Sequence, residues 1–267
     1  FGQIMDKIPE LKHFQYRLRV ISFHQLIDSA DVEPAHWVAL ACLIEENYPD
    51  YDAFLILHGT DTMAYSASAL SYLLEGLKKP VIFTGAQLPI GMNRTDAREN
   101  LMSALEIAAE RRKGEPAVQE VCIYFNELLL RGNRAKKVES NQFGAFESGN
   151  YPPLAVAGVN IEYNDQAIER DQSWEEAGLK VWTEMETRVG VLTLFPGLNH
   201  RVVQLVMEQA ELKGLILLTY GAGTAPTHPE LIELLEQGIE RGLIILNVSQ
   251  CVGGHVMQGR YNTSASL

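Results

Sequence analysis

Twice in this chain an apolar, β-branched run breaks into a tight polar turn and then into a helical pattern. Ala53-Phe54-Leu55-Ile56-Leu57 leads into His58-Gly59-Thr60-Asp61-Thr62, and Val81-Ile82-Phe83 leads into Thr84-Gly85-Ala86-Gln87-Leu88-Pro89. Strand, turn and helix in that repeated order predict parallel strands joined by helical crossovers, an α/β architecture. Open sheets of this kind place their ligand sites beyond the carboxyl ends of the strands. The first turn puts two hydroxyls and a carboxylate at that position, where Gly and Asn alone would have made a turn.

The alternation continues along the chain. Residues 17–23 read as a strand, and Asp28-Ser29-Ala30-Asp31 as a polar turn. Glu33-Pro34 opens a helix to about Glu46, with proline in its first turn. Ala67, Leu70, Leu73, Leu74 and Leu77 keep helical spacing after Thr62, Lys78 and Lys79 suit that helix's C-terminal end, and Pro80 stops it. A third helix is predicted from Asp96 to about Arg112. Val118–Phe125 and Leu128–Leu130 read as strands about a turn or bulge. From Glu162 to Thr187 the chain turns polar without a sustained apolar period, which reads as an interdomain connection. A second α/β section follows, with strands at 188–195, 214–219 and 243–248 and helices at 199–211 and 228–241. The expected fold is therefore two α/β domains. A larger parallel-sheet domain spans 1–163, a linker 164–187, and a smaller α/β domain 188–267.

The chain has 267 residues, 46% of them apolar, and 22 basic against 34 acidic residues give a net charge of −12. That balance opposes nucleic-acid and anionic-membrane partners, because phosphate attraction needs a basic surface. No apolar run approaches the roughly 20 residues that span a bilayer. The expected partner is a small molecule. Three cysteines make no disulfide framework: Cys42 and Cys122 read as small core residues. There is no C-x-x-C or H-E-x-x-H metal motif. Low cysteine usage points to a reducing compartment and takes weight from the glycosylation patterns at Asn93, Asn247 and Asn262. Gly221-Ala222-Gly223-Thr224-Ala225-Pro226 opens like a dinucleotide fingerprint, but Pro226 holds the third glycine position, and the segment reads as a turn.

Thr60-Asp61-Thr62 has two readings. One is a capped helix start, for which Asp and Thr are both favoured. The other is a nucleophile, which needs a base or cation to activate the hydroxyl. Arg131-Gly132-Asn133-Arg134-Ala135-Lys136-Lys137 follows the apolar Leu128-Leu129-Leu130 and could supply it. A lysine beside a hydroxyl lowers the cost of the alkoxide, or acts as a base if its own pKa falls. Asp28-Ser29 closes another predicted strand and reads either as an ordinary turn or as a contact for a substrate carboxylate.

The stretch from His58 through Leu70 resembles the second signature of the L-asparaginases, most of all the bacterial type I, cytoplasmic kind. The likeness extends through Lys79–Pro89, Arg131–Lys137, Phe195-Pro196-Gly197, Tyr220-Gly221-Ala222-Gly223 and Asn247–Cys251. It implies hydrolysis of the side-chain amide of L-asparagine to L-aspartate and ammonia, with no metal or cofactor. By that resemblance Thr60, Asp61 and Lys137 form a catalytic set, with Lys137 a better match than Lys136. Asp61 also binds the substrate ammonium. Ser29, with Asp28 beside it, matches the α-carboxylate contact, Gly59 belongs to the same pocket, and the Ala86 backbone holds the substrate amide. Turn N–H groups can receive the developing oxyanion. A cytoplasmic homodimer or homotetramer is implied.

Departures from the family pattern carry expectations too. The family's Thr-Gly-Gly-Thr strand and its mobile tyrosine loop have no match, and Phe1-Gly2-Gln3-Ile4 aligns just after that loop. The family's final helices have no match either, so the sequence reads as part of a longer protein. Some type I members bind asparagine at a second site through an arginine near Tyr220; Leu217-Leu218-Thr219 stands there instead, which implies weak or absent cooperativity. Cys251 matches a cysteine of that site and reads here as a packed residue at a strand end. The rival functions are a glutaminase, an amidotransferase subunit, and an amino-acid-binding regulatory relative without catalysis.

Overall fold

The computed structural model describes residues 8, 9, 11, 16–170 and 178–257. The start of the chain at Phe1–Ile4, residues 171–177 of the expected linker and the Asn262 pattern lie outside them. The chain divides into two units, Phe1–Glu184 and Met185–Leu267.

The first unit is built on one six-stranded sheet. In chain order its strands are β1 (Phe54–Leu57), β2 (Val81–Thr84), β3 (Val121–Phe125), β4 (Leu128–Arg131), β5 (Ala155–Ala157) and β6 (Ile161–Tyr163), and they lie side by side in that same order. β1, β2 and β3 are parallel. β4, β5 and β6 continue as an antiparallel meander. The change of direction has a local cause. Asn126 and Glu127 adopt positive φ of 44° and 71°, the conformation of a two-residue hairpin turn whose twist matches the flanking strands. A two-residue turn can only return the chain antiparallel, so the parallel character that the sequence predicts covers the first half of this sheet.

Helices α2 (Met63–Leu73) and α3 (Ala97–Ala109) pack on this sheet, and α1 (Pro34–Asn47) packs against α2. Alternation along the strands sorts their neighbours. Ile82, Cys122 and Tyr124 join Ala104, Ile107 and Ala108 of α3 in one apolar cluster. Val81, Phe83, Val121 and Ile123 are also buried, and successive strand residues face opposite sides, so they form the other face, where α2 packs against β3.

Several boundaries differ from the sequence reading. The α2 pattern continues to Leu77, but the helix ends at Leu73. Leu74–Glu75 pair instead with Lys180–Val181, and Gly76 at φ 74° turns the chain. Lys79 therefore does not cap the helix; its Nζ donates to the carbonyls of Tyr48 and Tyr51. α3 stops at Ala109 because Arg111–Arg112 turn back on Glu115–Pro116 through Lys113 and Gly114, both at positive φ. Residues 17–23 form no strand; they find no ladder partner among the described residues, and Leu18, Val20, Ile21 and Phe23 stay exposed. Residues 164–170 and 178–184 lie within the first unit: Ala167 and Ile168 enter its apolar cluster, and the Trp182 N–H donates to Leu73 O.

The second unit carries its own three-stranded parallel sheet: β7 (Val189–Thr193), β8 (Gly214–Thr219) and β9 (Ile244–Ser249), with β8 central. α4 (His200–Met207) and α5 (Pro229–Glu240) supply Val203, Met207, Leu231 and Leu235 to a core with Leu192, Leu215 and Leu217. Tyr220–Thr224 is a turn, as the proline-interrupted glycine motif predicts. Cys122 is buried and Cys42 half-buried. Cys251 is exposed rather than packed, because it lies beyond the end of β9, where its N–H is held by Ser249 Oγ.

Candidate active site

The site follows from the pairing of β1 with β2. Their register sets Leu57 opposite Thr84, so the two turns that leave these strands are neighbours, and the His58 N–H donates to Thr84 O. That approach leaves no room for a side chain at Gly85, where a Cβ would run into the His58 carbonyl oxygen.

Thr60 and Asp61 occupy the turn between β1 and α2. Neither they nor Thr62 caps the helix. Thr62 stands at the N-cap position without a side-chain cap bond, and its hydroxyl donates to Ser29 O at 2.5 Å. Thr60 Oγ1 accepts from Lys137 Nζ at 2.8 Å and donates to Gln87 Oε1 at 3.1 Å. Lys137 Nζ also reaches Asp61 Oδ1 at 2.7 Å. One ammonium thus bridges the hydroxyl and the carboxylate. Lys137 is well covered, at 19% side-chain exposure, while Asp61 is open at 67%. An ion pair this exposed adds little to stability; its consequence is placement.

Lys137 is held by a short hairpin. Lys136–Lys137 pair with Phe146–Glu147, and buried Phe146 packs on Phe125 of β3 with ring centroids 5.0 Å apart. Lys136 on the same strand is exposed, and the pleat turns only Lys137 toward Thr60.

Ser29 is buried at the start of a 3-10 turn, Ser29–Asp31. A Cβ on Gly59 would sit 2.5 Å from Ser29 Oγ, so Gly59 lets the serine turn and the threonine turn touch. Asp28 turns its carboxylate to its own loop, accepting from the Ala30 N–H at 2.9 Å. Ala86 is half-buried in the turn after β2. The structure therefore gathers Thr60, Asp61 and Lys137 directly, sets Ser29 against Gly59, and engages the Asp28 carboxylate in capping its own turn.

Two residues escaped the sequence reading. Gln87 lies within the T-G-A-Q-x-P run, but its residue type alone names no role. Its Oε1 takes the Thr60 proton's hydrogen bond, and its Nε2 donates to Ser140 O and Gln142 O of the Lys137 hairpin. Asp96 holds it there: the carboxylate accepts from the Gln87 and Leu88 N–H groups and from Asn100 Nδ2. An aspartate opening a helix reads as a cap in sequence, yet Asp96 makes no cap bond to α3 and is spent on the neighbouring turn.

Against known proteins, the family described as Asparaginase, N-terminal matches residues 1–169, and the Glutaminase/Asparaginase C-terminal domain matches residues 188–267. L-asparaginase 1 of Escherichia coli K12 is 40% identical over 97% of this chain and 73% of its own length. The chain belongs to the asparaginase family. The crystal structure of L-asparaginase I from Vibrio cholerae superposes with a TM-score of 0.88 at 40% identity, over 99% of this chain and 79% of that one. The human protein called 60 kDa lysophospholipase is 44% identical over 93% of this chain, which spans only 42% of that longer relative. Within this asparaginase-family chain, all the residues of the Thr60 constellation lie in the part matched by the N-terminal family domain. Among the described residues no helix is long and apolar enough to cross a membrane.

Proposed function

We propose that this protein hydrolyses the side-chain amide of L-asparagine to L-aspartate and ammonia. The observation that carries the reading is Lys137 Nζ bridging Thr60 Oγ1 and Asp61 Oδ1. Thr60 is the hydroxyl that serves the attack on the amide carbonyl. In the resting arrangement its proton points at Gln87 Oε1 and Lys137 donates to it. A hydroxyl so placed becomes nucleophilic when a neighbouring base takes its proton or a neighbouring cation steadies the alkoxide, and Lys137 stands where either can happen. Asp61 orients Lys137 and, being largely exposed, also offers a carboxylate to the substrate ammonium. Ser29 at the other side of Gly59 is the contact for the α-carboxylate. The Ala86 backbone is the contact for the substrate amide.

This assignment matches charge to charge at the amino-acid α-carbon and leaves a neutral amide at the threonine. Glutamine differs by one methylene, which a pocket discriminates by about 1–3 kcal/mol, so glutamine is the competing substrate. We further propose that the protein works in the cytoplasm as a homodimer or homotetramer, as its resemblance to the type I L-asparaginases implies. Ammonia release from L-asparagine and L-glutamine, by the purified protein and by Thr60→Ala, tests the activity. Release from asparagine that falls at least about 100-fold in the variant is expected for loss of the attacking hydroxyl. No release from either substrate by a folded protein would replace the hydrolase with an amino-acid-binding regulatory relative.

A further inference from the structure

Behind the Thr60 turn, and outside the Lys137 constellation, three side chains from three parts of the chain are linked in line. Trp37 Nε1 of α1 donates to Ser66 Oγ of α2 at 2.8 Å. Ser66 Oγ lies 2.8 Å from His58 Nε2. His58 Nδ1 lies 2.6 Å from Gly59 O. The last contact fixes the rest. A backbone carbonyl only accepts, so Nδ1 must carry the proton. In the neutral ring Nε2 is then an acceptor, and the Ser66 hydroxyl must donate to it. Ser66 is 1% exposed, and the His58 and Phe83 rings pack in an edge-to-face arrangement with centroids 5.7 Å apart. Burial also lowers the His58 pKa, in keeping with a neutral ring.

The line ends on the peptide that joins Gly59 to Thr60. A peptide unit is planar and its C=O and N–H point opposite ways. Holding Gly59 O toward His58 therefore turns the Thr60 N–H to the far side, and that N–H has no partner among the described residues. We propose that His58, as its neutral Nδ1–H tautomer locked by Ser66 and Trp37, is a positioning residue: it sets the Gly59–Thr60 peptide plane and so aims the Thr60 N–H and hydroxyl at the substrate amide. The proposal rests on the hydrolase reading for its kinetic consequence but not for its geometry.

Two substitutions separate the halves of the ring. His58→Asn keeps an N–H near the position of Nδ1, and His58→Gln keeps a polar group near Nε2 but loses the donor to Gly59. With melting temperature as the control for folding, His58→Gln is expected to lower kcat by about 10- to 100-fold, the cost of misplacing a reacting group, with KM changed much less. His58→Asn should keep kcat within about threefold by retaining that placement. Wild-type kcat in His58→Gln, or equal losses in both variants that follow the melting temperature, would overturn the proposal. Nitrogen NMR of histidine-labelled wild-type protein needs no variant to fold: the Nδ1–H form of His58 is expected, and an Nε2–H form would overturn it. Should the wild-type protein release no ammonia, the hydrolase reading fails. The relay is then judged by the Thr60 amide resonance, which must shift in His58→Gln and hold in His58→Asn.

Discussion

At the scale of the residue, the site depends on where single polar atoms are spent. Thr60, Asp61 and Thr62 are three residues of a type that caps helices, yet none of them caps α2. Their side chains go instead to Gln87, Lys137 and Ser29. His58 shows the same economy, and it has a consequence for pH. Burial lowers its folded pKa from the ordinary 6.5. Below 6.5 an unfolded chain takes up a proton that the folded chain still refuses, so unfolding binds protons and stability falls with pH. The associated stability is present in full above about 6.5 and is lost as pH falls from there to the lower folded value. Urea unfolding across that range should show a slope that His58→Asn flattens. An unchanged slope in the variant would assign the pH dependence to other groups.

At the scale of the element, turns decide the arrangement more than helices or strands do. The Asn126-Glu127 turn reverses the chain after β3 and starts the antiparallel half of the sheet. Glu127 there sits at φ 71°, a conformation that costs an ordinary side chain about 1–2 kcal/mol. Glu127→Gly should therefore raise stability by roughly 0.5–1 kcal/mol after glycine's own entropy cost, read as a shift in the urea midpoint; a loss would mean that the Glu127 side chain is needed. Turns also mark how far the sequence could be read. The strand–turn–helix repeat around Thr60 and Gly85 was legible because apolar period and glycine position are local properties. So were β8 and the second unit's alternation. The end of α2 was not, because Leu74 and Leu77 continue the helical period and only the distant Lys180–Val181 draws Leu74–Glu75 into a ladder. Residues 17–23 have strand composition, but a strand needs a partner, which composition cannot supply. Gln87 and Asp96 were illegible as site residues for the same reason: their roles come from three segments meeting, and neither residue type announces it.

At the scale of the molecule, each unit has apolar packing of its own. The second core is contained in residues 192–245. Leu215, 1% exposed at its centre, should cost about 2–5 kcal/mol when cut to alanine. Hydrogen exchange is expected to speed up through β7, β8 and β9 while β1–β3 keep their protection. Equal loss in both sheets would show that the units unfold together. The residues proposed for catalysis all lie in the first unit. Thr60 and Lys137 are proposed to act as one device. The most direct test is the kcat for ammonia release from L-asparagine by Thr60→Ala, Lys137→Met and the double variant. Groups that act as a unit are strongly non-additive. The double variant is predicted to be no slower than the slower single variant, within about threefold. Losses that multiply would mean that Thr60 and Lys137 serve the reaction independently, and would contradict the account.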